Sequence, residues 1–171
     1  MRLLESIHAV DISAFTWFAK HKYRDDIVKW ARLVSLTADG QLYVLAGAIV
    51  LLTKQWDLAL LMSLCFLVER SCYKVFKNLF KRNRPPEAIP GFKSVVEPSD
   101  QFSFPSGHTS AAFMVACIFT AFFPMAGLIL VPWAIAVGLA RVVLGVHFPT
   151  DVLAGASMGS AIFVVFFSLL F

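Results

Sequence analysis

The amino-acid sequence predicts an all-α fold: a polytopic transmembrane helical bundle of five to six helices, with N-terminal amphipathic helices in the membrane interface. Three observations predict it. Apolar residues make up 58% of the 171 and charged residues only 15%, against about 25% charged in a soluble domain. Phe alone occurs 17 times, and the mean hydropathy is +0.74. A soluble chain of this length could not hide so much apolar surface. The apolar residues also fall into runs near the ~20 residues a bilayer core needs, separated by short polar or proline turns.

The elements follow in order. Leu3 to Phe18 carries Glu5, His8 and Asp11 and spans poorly. Arg24 to Leu36 sets Ile27, Val28, Trp30, Ala31, Val34 and Ser35 against Asp26, Lys29 and Arg32, the pattern of a short amphipathic helix lying in the interface. Asp39-Gly40 is a turn signal. Spanning helices are expected at 40–54, 56–80, 107–123, 127–147 and 150–171. Lys54-Gln55-Trp56-Asp57 is a polar turn with an interfacial Trp. Pro149 suits the first turn of the last helix. Residues 1–171 thus read as one membrane-embedded domain, 1–39 interfacial and 40–171 the transmembrane core.

Composition narrows the function classes. Cys65, Cys72 and Cys117 lack metal-ligand spacing, and an odd number argues against a disulfide framework. No removable signal peptide is evident at the N-terminus. The net charge is +4, but the basic residues are dispersed around the spans. That disfavours nucleic acid and favours an anionic lipid headgroup.

The unusual polar residues converge. Alternating the spans across the bilayer puts the end of 56–80, the long connection Lys81–Pro105, the start of 107–123 and the turn near 147–151 on one face. Ionisable groups at membrane depth are costly and functional by default. Arg70, Lys74, Lys77 and Lys81 form one helical stripe, for which Glu69 and a bound phosphate are candidate anions; snorkelling to the headgroups is the alternative. Arg84 can fork two phosphate oxygens and Lys77 supplies a point charge. Pro105-Ser106-Gly107-His108 opens an apolar helix, whose free N–H groups suit an anion. Gly107 permits close approach to the backbone, Ser106 adds a hydroxyl, and His108 can protonate a leaving alkoxide. Taken alone, Ser-Gly-His can equally be a helix cap. Arg141 lies near the end of an apolar helix, where a charge needs a partner. Asp151 can hold one ring nitrogen of His147 and free the other to attack. These groups suffice for phosphoryl transfer by positioning and charge neutralisation. Neither converging carboxylates for magnesium nor a His/Cys set for zinc is visible, so no metal and no cofactor are expected.

Lys77-x6-Arg84-Pro85, Pro105-Ser106-Gly107-His108 and Arg141-x5-His147-x3-Asp151 resemble the three ordered motifs of the type 2 phosphatidic acid phosphatase family, the lipid phosphate phosphatases. Ala140 stands where that family usually has Ser. The resemblance implies that His147 attacks phosphorus to form a phosphohistidine and that Asp151 orients it. It implies that His108 protonates the leaving group and then activates water, while Lys77, Arg84, Ser106, Gly107 and Arg141 hold the phosphate oxygens. It further implies metal independence, and a substrate such as undecaprenyl pyrophosphate, phosphatidylglycerol phosphate, phosphatidate or lipid A 1-phosphate. Undecaprenyl pyrophosphate with overlapping glycerophospholipid activity is the expectation. Two other readings remain: a lipid-phosphate binding or translocating protein using the site as a headgroup clamp, and a vanadate-dependent oxidant enzyme, for which a membrane body gives no reason. A bacterial inner membrane with a periplasmic site is expected by resemblance, although Lys20, Lys22, Arg24, Lys29 and Arg32 would put the site inside by the positive-inside rule.

Overall fold

The computed structural model describes residues 9–16, 24–98 and 100–171. The expectations attached to Glu5, His8, Lys20 and Lys22 lie outside them. Every regular element among the described residues is helical: α1 (residues 9–16), α2 (Arg24–Leu36), α3 (Gly40–Leu52), α4 (Trp56–Phe80), the short α5 (Pro85–Ala88), α6 (Gly107–Phe122), α7 (Gly127–Val143) and α8 (Pro149–Leu170). A 3-10 turn, Pro124–Ala126, leads into α7.

Among the described residues, three stretches are long and apolar enough to cross a membrane: Asp26–Leu52, Pro124–Val143 and Pro149–Leu170. The first runs through α2, a turn at Thr37–Asp39 and α3. α6 is apolar but shorter, and α4 has 25 residues but carries Glu69, Arg70, Lys74 and Lys77. Large apolar side chains such as Leu45, Leu52, Leu128, Ile129, Leu153 and Leu169 are exposed, whereas Glu69, Lys77, Arg84, Arg141 and Asp151 are buried. This inverts the usual soluble arrangement and fits a bundle with lipid outside and a polar interior.

α6 sits at the centre, packed against α4, α7 and α8; α2 packs on α7 and α3 on α4. On α4 the inward positions are Leu58, Leu61, Met62, Cys65, Glu69 and Lys77, the spacing of one helical face. The first four join Met114, Ile118 and Ile162 in one apolar cluster. Small residues line the α6–α7 contact, where Ala112, Ala116, Ala134 and Val137 pack together. Lipid tails are as apolar as leucine, so close backbone approach takes the place of a hydrophobic driving force.

One boundary differs from the sequence expectation. α7 stops at Val143 rather than continuing to His147. Gly145 takes a φ of +76°, a conformation glycine adopts without penalty, and a side chain there would run into Phe92. The chain leaves the helix at Leu144, so His147 stands in a short turn ahead of Pro149.

Candidate active site

The connection between α4 and α6 folds over the polar end of the bundle. Lys77 Nζ donates to Asp100 Oδ1 at 2.6 Å and to the Phe102 carbonyl oxygen. Arg84 Nη2 donates to the same Asp100 Oδ1 at 2.6 Å and its Nε to the Asp100 carbonyl oxygen at 3.0 Å. The Tyr73 hydroxyl completes the set around the Asp100 carboxylate. Burial alone would raise the Asp100 carboxyl, but hydrogen bonds from Lys77, Tyr73 and Arg84 outweigh it and hold it down at about 2.

Arg84 also joins this cluster to the third motif. Its Nη1 donates to the Val146 carbonyl oxygen at 2.6 Å and lies 3.5 Å from His147 Nε2. The other ring nitrogen, Nδ1, faces Asp151 Oδ2 at 3.8 Å. That separation is too long for a hydrogen bond. Asp151 is engaged elsewhere: Oδ2 accepts from Phe148 N at 2.8 Å and from the Ser103 hydroxyl, and Oδ1 accepts from Arg82 Nη1 at 2.7 Å. In place of the expected Asp151–His147 hydrogen bond stands a longer contact between the carboxylate and the ring, because an N-cap amide, a hydroxyl and a guanidinium already occupy the carboxylate. Burial, and after it the Arg84 and Arg141 guanidiniums, hold the His147 imidazole below its ordinary range despite Asp151. The ring is neutral near pH 7, the form a nucleophile requires.

The second motif packs onto the third. Ser106 N donates to the Asp151 carbonyl oxygen at 3.0 Å, and Ser106 Oγ pairs with Thr109 Oγ1 at 2.8 Å. The Ser106 hydroxyl is thus turned into its own helix start. Gly107 is buried, and a side chain there would sit 2.6 Å from the edge of the Tyr73 ring. Its missing side chain admits Tyr73. His108 Nε2 lies 2.9 Å from Asp39 Oδ1, leaving Nδ1 for another partner. Two cavities flank that pair. One of about 420 Å³ is lined by Arg32, Ser35, Asp39, Glu97, His108 and Arg141. The other, of about 520 Å³, is lined by Asp39, Tyr43, Arg70, Tyr73, Gly107 and His108.

Arg141 is buried, and its Nη1 donates to Ser35 Oγ at 2.7 Å. Among the described residues its Nε has no hydrogen-bond partner, and neither has His147 Nδ1. The stripe expected on α4 does not act together. Lys77 turns inward, Lys74 and Lys81 are exposed, and Glu69 pairs with Arg70. The anion for Lys77 is Asp100, which sequence reading passed over, along with Asp39, Arg82 and Asp11. Arg82 Nη2 donates to Asp11 Oδ2 at 2.6 Å while its Nη1 holds Asp151, so α1 braces the carboxylate behind His147. No group of three or more His, Cys, Asp and Glu able to hold a metal ion occurs among the described residues.

Known proteins resemble this chain across the same segments. A model of the PAP2 superfamily matches residues 55–171. The bacitracin transport permease protein BcrC of Bacillus licheniformis is 31% identical over 139 residues, which cover 77% of this chain and 68% of that one. Phosphatidylglycerophosphatase B of Bacillus subtilis is 39% identical over 125 residues, covering 64% and 56% respectively. The crystal structure of a transmembrane PAP2 type phosphatidylglycerolphosphate phosphatase from Bacillus subtilis superposes with a TM-score of 0.78 at 27% identity, over 96% of this chain and 86% of that one. Aquifex aeolicus LpxE shares the fold, with a TM-score of 0.80 at 21% identity over 91% and 93%. The family match takes in Lys77–Pro85, Pro105–His108 and Arg141–Asp151 together, and the chain belongs to the PAP2 superfamily as a membrane-embedded phosphatase.

Proposed function

We propose that this chain removes the terminal phosphate of a membrane lipid phosphate or diphosphate, without a metal, through a phosphohistidine on His147. One observation carries the reading. Lys77 and Arg84 converge at 2.6 Å each on a single carboxylate oxygen, and Arg84 Nη1 lies 3.5 Å from His147 Nε2, an arrangement equally suited to a phosphate oxygen. The buried Arg141 adds its Nε, which has no hydrogen-bond partner among the described residues. Together the three cations supply the charge neutralisation that phosphoryl transfer needs. His147 Nε2, on the Arg84 side of the ring, attacks phosphorus. The bond to the lipid oxygen breaks with its electron pair, and His108 protonates that oxygen. Water, deprotonated by His108, then releases orthophosphate and restores His147. Asp39 holds His108 as Asp151 supports His147.

A lipid diphosphate such as undecaprenyl pyrophosphate, with overlapping activity on phosphatidylglycerol phosphate and phosphatidate, is the substrate class we favour. Relatives named phosphatidylglycerophosphatase B and lipid A 1-phosphatase support the wider class; the second makes lipid A 1-phosphate the alternative substrate. A second reading, a headgroup clamp for binding or translocation, rests on the relative named a transport permease. Purified protein assayed with these lipids in EDTA separates them. Phosphate release should persist in chelator and fall to background in His147→Ala, and an acid quench should trap phosphate on histidine in the wild type. Because His147 stays neutral below the usual imidazole range, the plateau of kcat/KM should extend below pH ~6.5. Inactivation by EDTA defeats the metal-free step, and lipid movement that survives His147→Ala favours the clamp.

A further inference from the structure

Outside the motifs, α4 carries a second cation facing a ligand-sized chamber. Glu69 is fully buried, and its carboxylate accepts from Arg70 Nε at 2.6 Å and Nη2 at 3.1 Å. That fork uses two of five guanidinium N–H donors and fixes the direction of the rest. The Arg70 side chain is 50% exposed and lines the cavity of about 520 Å³ with Tyr43, Tyr73, Gly107 and His108. Its Cζ lies 4.9 Å from the Tyr73 ring centroid, and Lys77 Nζ lies 5.0 Å from the same centroid. A single aromatic ring therefore neighbours both the motif lysine and Arg70. Tyr43 lines the same cavity, and its buried Oη has no hydrogen-bond partner among the described residues.

A buried carboxylate in a membrane helix is costly unless paired. Here the pair leaves three donors of a rigid guanidinium, beside an unused hydroxyl, on the His108 side of the phosphate cluster. His108 is the residue that meets the leaving oxygen in the reading above. We propose that Arg70 and Tyr43 form a second anion subsite that takes the lipid-proximal phosphate of a diphosphate substrate. The proposal rests on the phosphatase reading and specifies its substrate class. His147 attacks the distal phosphorus and the bond to the bridging oxygen breaks. The electron pair leaves on a lipid monophosphate, and water later releases the distal phosphate from His147 as orthophosphate. Lipid diphosphate and water thus give lipid monophosphate and orthophosphate. The leaving group is an anion, and Arg70 meets it with charge-assisted donors. A lipid monophosphate instead releases a neutral alcohol, which presents no second charge to Arg70.

The test is the ratio of kcat/KM for a polyprenyl diphosphate to that for the polyprenyl monophosphate of the same chain length, with the full chain in detergent micelles. Arg70→Gln is made together with Glu69→Gln, so that no buried carboxylate is left unpaired. The ratio should fall roughly 10- to 100-fold, the loss of hydrogen bonds to a charged group. Tyr43→Phe, which leaves the ion pair intact, should lower it several-fold and keeps the question open to test if the double variant fails to fold. An unchanged ratio, whether both rates fall together or neither moves, overturns the subsite. Wild-type protein that turns over only the monophosphate also overturns the subsite while leaving the phosphatase reading intact. Release from neither lipid overturns both.

Discussion

Asp100 holds Lys77 and Arg84 together through one oxygen, so it occupies the place a substrate oxygen would take or borders it closely. Asp100→Ala leaves two buried cations without that anion and should cost on the order of 2 kcal/mol of stability. Added orthophosphate should then raise Tm more in the variant than in the wild type, because a ligand that binds only the folded state stabilises it by mass action. The pH dependence has a definite sign. A carboxyl lowered to about 2 contributes stability that is present above the ordinary value near 4 and is lost as pH falls toward 2. The stability gap between wild type and Asp100→Asn should therefore close over that interval in urea titrations. Asp39 acts on the other imidazole. Asp39→Ala frees His108 and should lower kcat roughly 10- to 100-fold with little change in KM, while Asp39→Asn, which can still hydrogen-bond the ring, should recover part of it. Equal rates for the two variants would show that the hydrogen bond to His108 does not contribute to turnover. Neither aspartate announces itself in the sequence. His147 and Asp151 lie four residues apart across a proline turn, which is a legible spacing. Asp100 meets its partner Lys77 across 23 residues, and Asp39 meets His108 across 69. The one signal available was a count, since a buried arginine and lysine demand more anions than Glu69 could supply.

The helices were legible where turn chemistry marks their ends. Asp39-Gly40, Lys54-Gln55, the Phe123-Pro124 turn and Pro149 bracket α3, α4, α6 and α8 within one or two residues of expectation. The end of α7 was not legible, because Leu144, Val146 and Phe148 continue the apolar run while Gly145 turns the backbone out of the helix. Hydropathy also gave no hint of how tightly α8 lies on α6. A side chain at Gly155 would overlap the Ser106 carbonyl oxygen, and one at Gly159 would overlap that of Ser110. These two glycines, four apart on one face of α8, set the distance between the helix start that carries His108 and the turn that carries His147. Gly159→Ala must push backbone away from backbone, at about 1–3 kcal/mol, and should lower Tm and phosphate release together. Gly47→Ala, in open space on α3, should change neither. Activity that survives Gly159→Ala with only Tm reduced would mean that the two motifs are positioned by the loops instead.

At the scale of the whole molecule, the candidate site gathers at one end of the bundle, and the question is which side of the membrane that end faces. Counting basic residues near the first span points inward, but the rule assumes cations that are free to choose a side. Here several are committed to partners within the protein. Lys77, Arg84 and Arg141 are buried, Arg82 is shared between Asp11 and Asp151, and Arg32 donates to the Val95 carbonyl oxygen at 3.0 Å. Lys29 remains at the surface beside Asp26 at 3.4 Å, close to charge balance. Lys20, Lys22 and Arg24 stay in the inward count, while Arg32 and Lys29 are spoken for; the periplasmic orientation that the family resemblance implies is the one we propose. Lys93 is exposed on the connection that covers the site. Cys65 is buried and Cys72 and Cys117 half-buried within helices, so Lys93→Cys should dominate labelling. A membrane-impermeant maleimide should modify it in intact cells, with no further gain on permeabilisation. Labelling only after permeabilisation would place the phosphate pocket in the cytoplasm and require the lipid substrate to be presented from the inner leaflet.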